Sequence, residues 1–278
     1  MSAPDHEIVA GDLLRAGSRL RYWLHEPRER PDEAPVVALT HGVSLDHRTF
    51  DAQVGALVDG GYRTLTWDIR GHGASQPMGP EMSIALVVED LIAVLDALEI
   101  ERSVLVGQSF GGMVIQDALD RYPHRVSGLA VVGAPALGDR PGPLMRTLQR
   151  VRIPMVRLWP DRLLRATFVA MVTKDPEVRA YVADATAQLS KSAFLAVSTA
   201  AMEGYLRTER PAGHGRPLLL VQGIDEERPV ARAIQRWADR DPRARHEVLE
   251  GGHLVNHESP QAFNQVLLAF CDDLVSER

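Results

Sequence analysis

Val104-Leu105-Val106-Gly107-Gln108-Ser109-Phe110-Gly111-Gly112 is a short apolar, β-branched run that ends in Gly-x-Ser-x-Gly-Gly and continues into a helical pattern from Met113 to Tyr122. The pattern predicts strand, sharp turn, helix. Gly107 and Gly111 flank Ser109 at two residues on either side, where such a turn crowds the backbone too closely for a Cβ. The turn would lift the serine hydroxyl above the carboxyl edge of a parallel sheet. A glycine-rich turn with an incidental serine is the plainer alternative, and the strand and helix on either side argue against it.

Working outward, strands and helices alternate. Arg19 to Glu26 predicts an early strand on an antiparallel edge, followed by a charged, proline-punctuated loop from Pro27 to Pro35. Strands are expected at Pro35 to Thr40, Tyr62 to Trp67, Ser103 to Val106 and Gly128 to Gly133, with helices over Asp46 to Asp59 and Met82 to Leu98 between them. This is the βαβ pattern of a parallel sheet covered on both faces. Between Pro135 and Gly215 the alternation stops and the chain reads helical, divided by Pro141, Pro143, Pro154, Pro160 and Pro176. Phe194, Val197, Ala201 and Tyr205 build one apolar helix face there. The sheet resumes at Leu218 to Val221, followed by helix Val230 to Ala238, strand Arg245 to Leu249 and a last helix from Pro260 to Val275. The expected division is a core in two parts, 1–134 and 216–278, interrupted by a helical cap at 135–215.

Composition excludes several function classes. Among 278 residues, 45% are hydrophobic and 24% charged, and the net charge of −6 comes without a long run of one sign, so nothing points to nucleic acid. The single cysteine, Cys271, falls in the terminal amphipathic pattern and reads as packing; it leaves no disulfide framework and points to a reducing compartment. The opening Met1 to Leu14 carries Asp5, His6, Glu7 and Asp12 and lacks the apolar centre of a secretory signal, and no run reaches membrane-spanning length. A cytoplasmic protein without membrane attachment is expected. There is no metal-ligand spacing and no Gly-rich phosphate loop, so no cofactor is expected.

A serine hydroxyl needs a base beside it, and the base needs an orienting acid. In strand–turn–helix sites of this kind the acid and then the histidine follow the serine in chain order. Gly223-Ile224-Asp225-Glu226 lies directly after one late strand, and Gly251-Gly252-His253 directly after the next. His253 is therefore the expected base. For the acid, Asp225 is the choice, with Glu226 as the alternative. His257, beside Glu258 and just before Pro260, reads as a surface or supporting residue. The oxyanion of an acyl-transfer site needs two backbone N–H donors, which Val43, after the strand ending at Thr40, and Phe110, after the serine, are placed to supply. His41 is read as a buttress of that loop. Asp68, Arg70 and His72 look reactive, but with Gly71 and Gly73 between them they read as a hydrogen-bonded turn.

With these residues in view the chain resembles the α/β-hydrolase superfamily. The matching pieces are Thr40-His41-Gly42, Asp68-Ile69-Arg70-Gly71-His72-Gly73-Ala74-Ser75, Gly107 to Gly112, and Gly251-Gly252-His253-Leu254-Val255-Asn256-His257-Glu258-Ser259-Pro260 followed by Phe263. The run from Asp68 to Val126 and the Gly-His-Leu ending look most like 3-oxoadipate enol-lactonases and related esterases. The resemblance implies a mostly parallel eight-stranded sheet with helices on both faces and an inserted cap. It also implies Ser109, His253 and a strand-end carboxylate as triad, with Val43 and Phe110 as oxyanion hole. The family commonly sets the acid three residues after the strand-end glycine and a proline four residues after the acid: Glu226 meets the first spacing, Asp225 the second, with Pro229.

The expected function is hydrolysis of a carboxylic ester or lactone through an acyl-enzyme on Ser109. The expected partner is a small molecule with a largely apolar body, suited to Leu144, Met145, Trp159, Phe168, Met171 and Phe194 of the cap, although for any single one of these the plainer reading is that it glues cap to core. Arginines between Arg140 and Arg165 could hold a substrate carboxylate, against the plainer reading of a solvated helix face. Acyl transfer or carbon–carbon bond hydrolysis could use the same triad, but Leu254 stands where carbon–carbon hydrolases usually carry Trp. A receptor-like protein that hydrolyses its ligand once is the reading from another class. A homo-oligomer is left open.

Overall fold

The computed structural model of the chain describes residues 6–29, 34–137, 139, 155–207 and 215–276. The strands are β1 (Glu7–Arg15), β2 (Ser18–Glu26), β3 (Val36–Thr40), β4 (Arg63–Trp67), β5 (Ser103–Gln108), β6 (Val126–Val132), β7 (Leu218–Gly223) and β8 (Ala244–Leu249). They form one sheet in the order β1-β2-β4-β3-β5-β6-β7-β8. β2 runs antiparallel to both β1 and β4, and every pair from β4 through β8 is parallel. This is the α/β-hydrolase fold expected from the sequence, with one strand, β1, that the sequence reading did not place.

The apolar runs of the central strands face both ways because side chains alternate across a pleat. In β3, Val36 and Ala38 join one core and Val37 and Leu39 the other; in β7, Leu218 and Leu220 divide from Leu219 and Val221 in the same manner. The first core is closed by α2 (Ile84–Ala97), α3 (Phe110–Arg121) and α7 (Arg228–Arg240), which bring Val87, Leu91, Ile115 and Trp237. The second is closed by α1 (Asp51–Asp59) and α9 (Pro260–Ser276), the latter preceded by the single turn α8 (Val255–Glu258); α1 and α9 bring Leu57, Phe263, Leu267 and Phe270. Each such side chain, fully buried, contributes ~1.5–3 kcal/mol. Cys271 is buried in this second layer, as packing.

Between β6 and β7 the described helices are α4 (Asp161–Val172), α5 (Pro176–Ala187) and α6 (Lys191–Arg207). Pro176 opens α5 at its first turn, where its missing N–H costs nothing, and Asp175 caps it by accepting from the N–H groups of Glu177 and Val178. Val169, Val172, Val178 and Val182 form a third apolar cluster with Leu45 and Leu254, which belong to the loops after β3 and β8. The inserted helices therefore rest on the carboxyl edge of the sheet. Leu144, Met145 and the arginines from Arg140 to Arg152 lie outside the described residues, as does the side chain of Tyr205. No helix among the described residues is long and apolar enough to cross a membrane.

Candidate active site

The site is built on loops that leave the carboxyl ends of β3, β5, β7 and β8. β5 delivers Ser109 into α3 with φ 51° and ψ −111°, a left-handed backbone on a non-glycine residue. That conformation costs ~1–3 kcal/mol and must be imposed by what surrounds it. The glycines make it affordable in space: a Cβ on Gly107 would overlap the backbone of Gly111, and one on Gly111 would overlap the carbonyl oxygen of Thr40. Ser109 is half-buried at the mouth of α3, and Phe110, the first residue of that helix, has an N–H with no intrahelical partner.

His253 follows β8 and meets the serine. Its Nε2 lies 3.0 Å from Ser109 Oγ, and its Nδ1 lies 3.0 Å and 3.1 Å from the two carboxylate oxygens of Glu226. The carboxylate fixes the ring tautomer: Nδ1–H donates to Glu226, which leaves Nε2 as the acceptor for the serine hydroxyl. Burial alone would lower the imidazole pKa. The hydrogen bond to Glu226 and the charges of Glu226, Glu227 and Glu258 outweigh it and hold His253 above its ordinary value.

Asp225, the acid chosen from the sequence, does not reach the ring; the carboxylate bonded to it is that of Glu226, the alternative. After Gly223 the chain turns, with the Glu226 N–H donating to the Gly223 carbonyl at 3.1 Å and the Asp225 N–H donating to Gly251 O at 2.9 Å. The turn sends the Asp225 side chain to solvent and the Glu226 side chain, 1% exposed, under His253. His257 does not join the group: its ring stacks on Tyr181, with centroids 5.0 Å apart.

The loop after β3 brings Val43 to the cavity that Ser109 also lines. Gly42 lets it approach, since a Cβ there would overlap the Gln108 side chain and lie 3.3 Å from Ser109 Cβ. Two buried histidines hold the loop from behind. His41 Nε2 accepts from the Ile69 N–H at 3.0 Å while its Nδ1 faces Gly42 O at 2.8 Å. His72 Nε2 accepts from the Ser44 N–H at 3.1 Å while its Nδ1 faces Arg70 O at 3.0 Å. Asp68 accepts from the N–H groups of His47 and Ala74 and from His47 Nδ1, and Arg70 forms a fully buried ion pair with Asp90 at 2.6 Å. The stretch from Asp68 to Ser75 is the hydrogen-bonded turn read from the sequence.

Three supporting residues were not foreseen. Gln108 Nε2 donates to His253 O at 3.1 Å, tying the sharp turn at Ser109, the elbow of the chain, to the histidine loop. Glu258 accepts from the Gly252 N–H on one side and from the Thr173 hydroxyl, at the end of α4, on the other. Tyr181 of α5 sets its hydroxyl 2.6 Å from Thr49 Oγ1. Only Glu258 had a sequence signal, its place in the histidine-loop motif.

Below the inserted helices a cavity of about 410 Å³ opens on Ser109 and His253. Leu45, Leu164, Phe168, Val172 and Phe194 form much of its wall, with Phe168 and Phe194 edge to face at 5.3 Å. Val43, Gln108, Glu226 and Glu227 also line it. No group of metal ligands occurs among the described residues.

Comparison with known proteins gives the same architecture. The chain is 26% identical over 242 residues to 3-oxoadipate enol-lactonase 2 of Acinetobacter baylyi, covering 85% of this chain and 88% of that protein. It is 38% identical over 106 residues to Epoxide hydrolase A of Mycobacterium tuberculosis, covering 37% of this chain and 33% of that protein. With that protein and two further curated relatives, the chain matches from 24% to 42% of their length. The solved enol-lactonase from Burkholderia xenovorans LB400 superposes with a TM-score of 0.81 at 24% identity, covering 94% of this chain and all of that one. Residues 36–266 match the alpha/beta hydrolase family. Because that match runs from β3 into α9, it takes in the elbow, the acid turn and the histidine loop together, and the chain belongs to the alpha/beta hydrolase family.

Proposed function

We propose that the protein hydrolyses a carboxylic ester or lactone through an acyl-enzyme on Ser109, with His253 as general base and Glu226 as the acid that orients it. The observation that carries this reading is the unbroken chain from Ser109 Oγ to His253 Nε2 and from Nδ1 to Glu226, each step near 3.0 Å. Ser109 Oγ attacks the carbonyl carbon while its proton passes to Nε2. The carbonyl oxygen becomes an oxyanion facing the Val43 and Phe110 N–H groups, and Glu226 stabilises the imidazolium. Collapse expels the alkoxide, which takes the proton from Nε2. Water, deprotonated by the same nitrogen, then attacks the acyl carbon, and Ser109 leaves with the proton restored. The helices between β6 and β7 act as a cap over this chemistry, on a core made of 1–134 and 216–278.

A serine at the elbow also bears on the epoxide hydrolase relatives. Attack of a hydroxyl on an epoxide would leave an ether, which water does not cleave under these conditions, whereas attack on an ester or lactone leaves an ester that turns over.

A fluorophosphonate should label Ser109 once per chain, and short esters and lactones should then show many turnovers per active site. Ser109→Ala should lower kcat by roughly 10⁴- to 10⁶-fold with the fold intact. Because Nε2 must be unprotonated and His253 is held above its ordinary value, kcat/KM should rise with pH along an acid limb centred above 6.5. Activity that survives Ser109→Ala on every substrate would remove the assignment, and labelling with a single turnover would make the protein a trap.

A further inference from the structure

Charge divides the cavity wall as sharply as hydrophobicity does. Among the described residues that line it, the ionisable ones are Glu226, Glu227 and His253, and none is a lysine or arginine. Glu226 spends its charge on His253, to which it is bonded through Nδ1. Glu227 differs. It follows directly, its backbone N–H donates to Glu226 Oε1 at 2.9 Å, and its exposed side chain pairs with no described residue. It stands at the start of α7, whose Val230 also faces the cavity. A substrate entering past Trp159, Phe168 and Phe194 leaves its water behind and meets, beside the reacting histidine, a carboxylate that no described cation of the wall offsets.

We propose that the site selects its substrates by charge, taking esters or lactones whose acyl part is uncharged or cationic, with Glu227 as the specificity residue that turns away a free carboxylate. This rests on the ester-hydrolase reading of the same site. An anion in an apolar cavity loses hydration and gains repulsion from the Glu227 carboxylate, which through a partly wet medium weakens its capture by about tenfold. A neutral chain of equal length loses nothing to Glu227. The oxyanion that forms in the reaction also lies in this field, so its two N–H donors must outweigh it.

The test uses three activated esters of one chain length on the full-length protein: a plain alkyl acyl group, the same chain ending in a carboxylate, and the same chain ending in trimethylammonium. The expected kcat/KM is about tenfold or more lower for the carboxylate than for the neutral chain, with the ammonium at or near the neutral value. Glu227→Gln should narrow the neutral-to-anionic ratio and Glu227→Lys should reverse it, the reversal being a result that simple damage to the site cannot produce. A second readout is the acid limb of kcat/KM. The carboxylates whose charges raise His253 are Glu226 and Glu227 after β7 and Glu258 near the start of α9, so Glu227→Gln should move that limb to lower pH. Equal turnover of all three esters, a preference for the carboxylate, or a ratio unmoved by Glu227→Lys would overturn charge selection and leave the hydrolase reading standing. Failure to turn over any of the three, or any other ester or lactone, would sink both.

Discussion

Two sets of histidines stand at the same edge of the sheet and are tuned in opposite directions. Behind the loop after β3, His41 and His72 are fully buried, each accepts a backbone N–H at Nε2, and each has only a carbonyl oxygen at Nδ1. Burial pushes both down, His72 to about 3, so both rings are neutral struts. On the other side of Ser109, His253 has a carboxylate at Nδ1 and is held above its ordinary value. His47 follows the same rule: Asp68 Oδ1 lies 2.9 Å from its Nδ1, and it too is raised against the effect of burial. The partner at Nδ1, rather than depth in the protein, separates a ring that gives up its proton readily from one built to take it.

The hardest blow to that contrast is Glu226→Gln. Glutamine keeps the length and loses the charge, so Nδ1 is no longer held as the donor to an anion and the imidazolium is unsupported. A loss in kcat of roughly 10²- to 10⁴-fold is expected, while Asp225→Asn should stay within about twofold. Steady-state kinetics on one ester reads both. If Asp225→Asn were the damaging change, the acid would lie on the solvent side of the turn and the contrast between the two sets would dissolve.

That choice between neighbouring carboxylates marks where the sequence stops being legible. Ser109 and His253, whose side chains meet at 3.0 Å, stand out in the sequence because glycines at 107, 111, 251 and 252 punctuate strand ends, and backbone crowding leaves a compositional trace. Gly223 marks the carboxylate turn in the same way, since a Cβ there would overlap the Gly251 and Gly252 carbonyl oxygens, but it does not say which carboxylate turns inward. Which of Asp225 and Glu226 turns inward depends on a turn closed by Gly223 O and on Gly251 O, a contact across 26 residues of chain from Asp225. β1 escaped for another reason: as the outermost strand it is largely exposed along its length, so it lacks the alternation that betrays a half-buried strand. The inserted helices were segmented by their prolines, yet the bonds that join them to the core, Tyr181 to Thr49 and Thr173 to Glu258, link side chains far apart in sequence and leave no periodic pattern.

Acid should sharpen the contrast from the stability side. His72 has a folded pKa of about 3, below the value of about 6.5 expected in the unfolded chain, so the unfolded chain binds the proton first as pH falls. The stability that depends on neutral His72 is therefore full above about pH 6.5 and declines by up to about 1.4 kcal/mol per pH unit below it. His72→Gln keeps an acceptor for the Ser44 N–H but cannot titrate. The difference in unfolding free energy between the parent and this variant, from urea titrations at pH 7 and pH 5, should shrink as pH drops. A difference that holds constant across that range would mean His72 is not the neutral strut described.

The smallest expected effect asks whether the two sides of the site are joined. Tyr181 reaches both: its hydroxyl lies 2.6 Å from Thr49 Oγ1 and 3.2 Å from Asp46 O, three residues beyond Val43, and its ring stacks on His257, four residues beyond His253. Burial holds the phenol well above its ordinary value, so it acts as a neutral donor and acceptor. Tyr181→Phe keeps the stacking and deletes the hydroxyl. Losing the hydroxyl's buried bonds to Thr49 and Asp46 costs about 1–2 kcal/mol of stability, which a urea titration reads. If the hydroxyl also fixes the loop that carries Val43, kcat should fall a few-fold with KM nearly unchanged, because the oxyanion forms only after the substrate is bound. A stability loss with kcat untouched would make α5 a cover alone. A kcat loss restored by no change at His257 but reproduced by Thr49→Val would assign the coupling to the hydroxyl, and with it the setting of the oxyanion loop to a helix that the sheet does not contain.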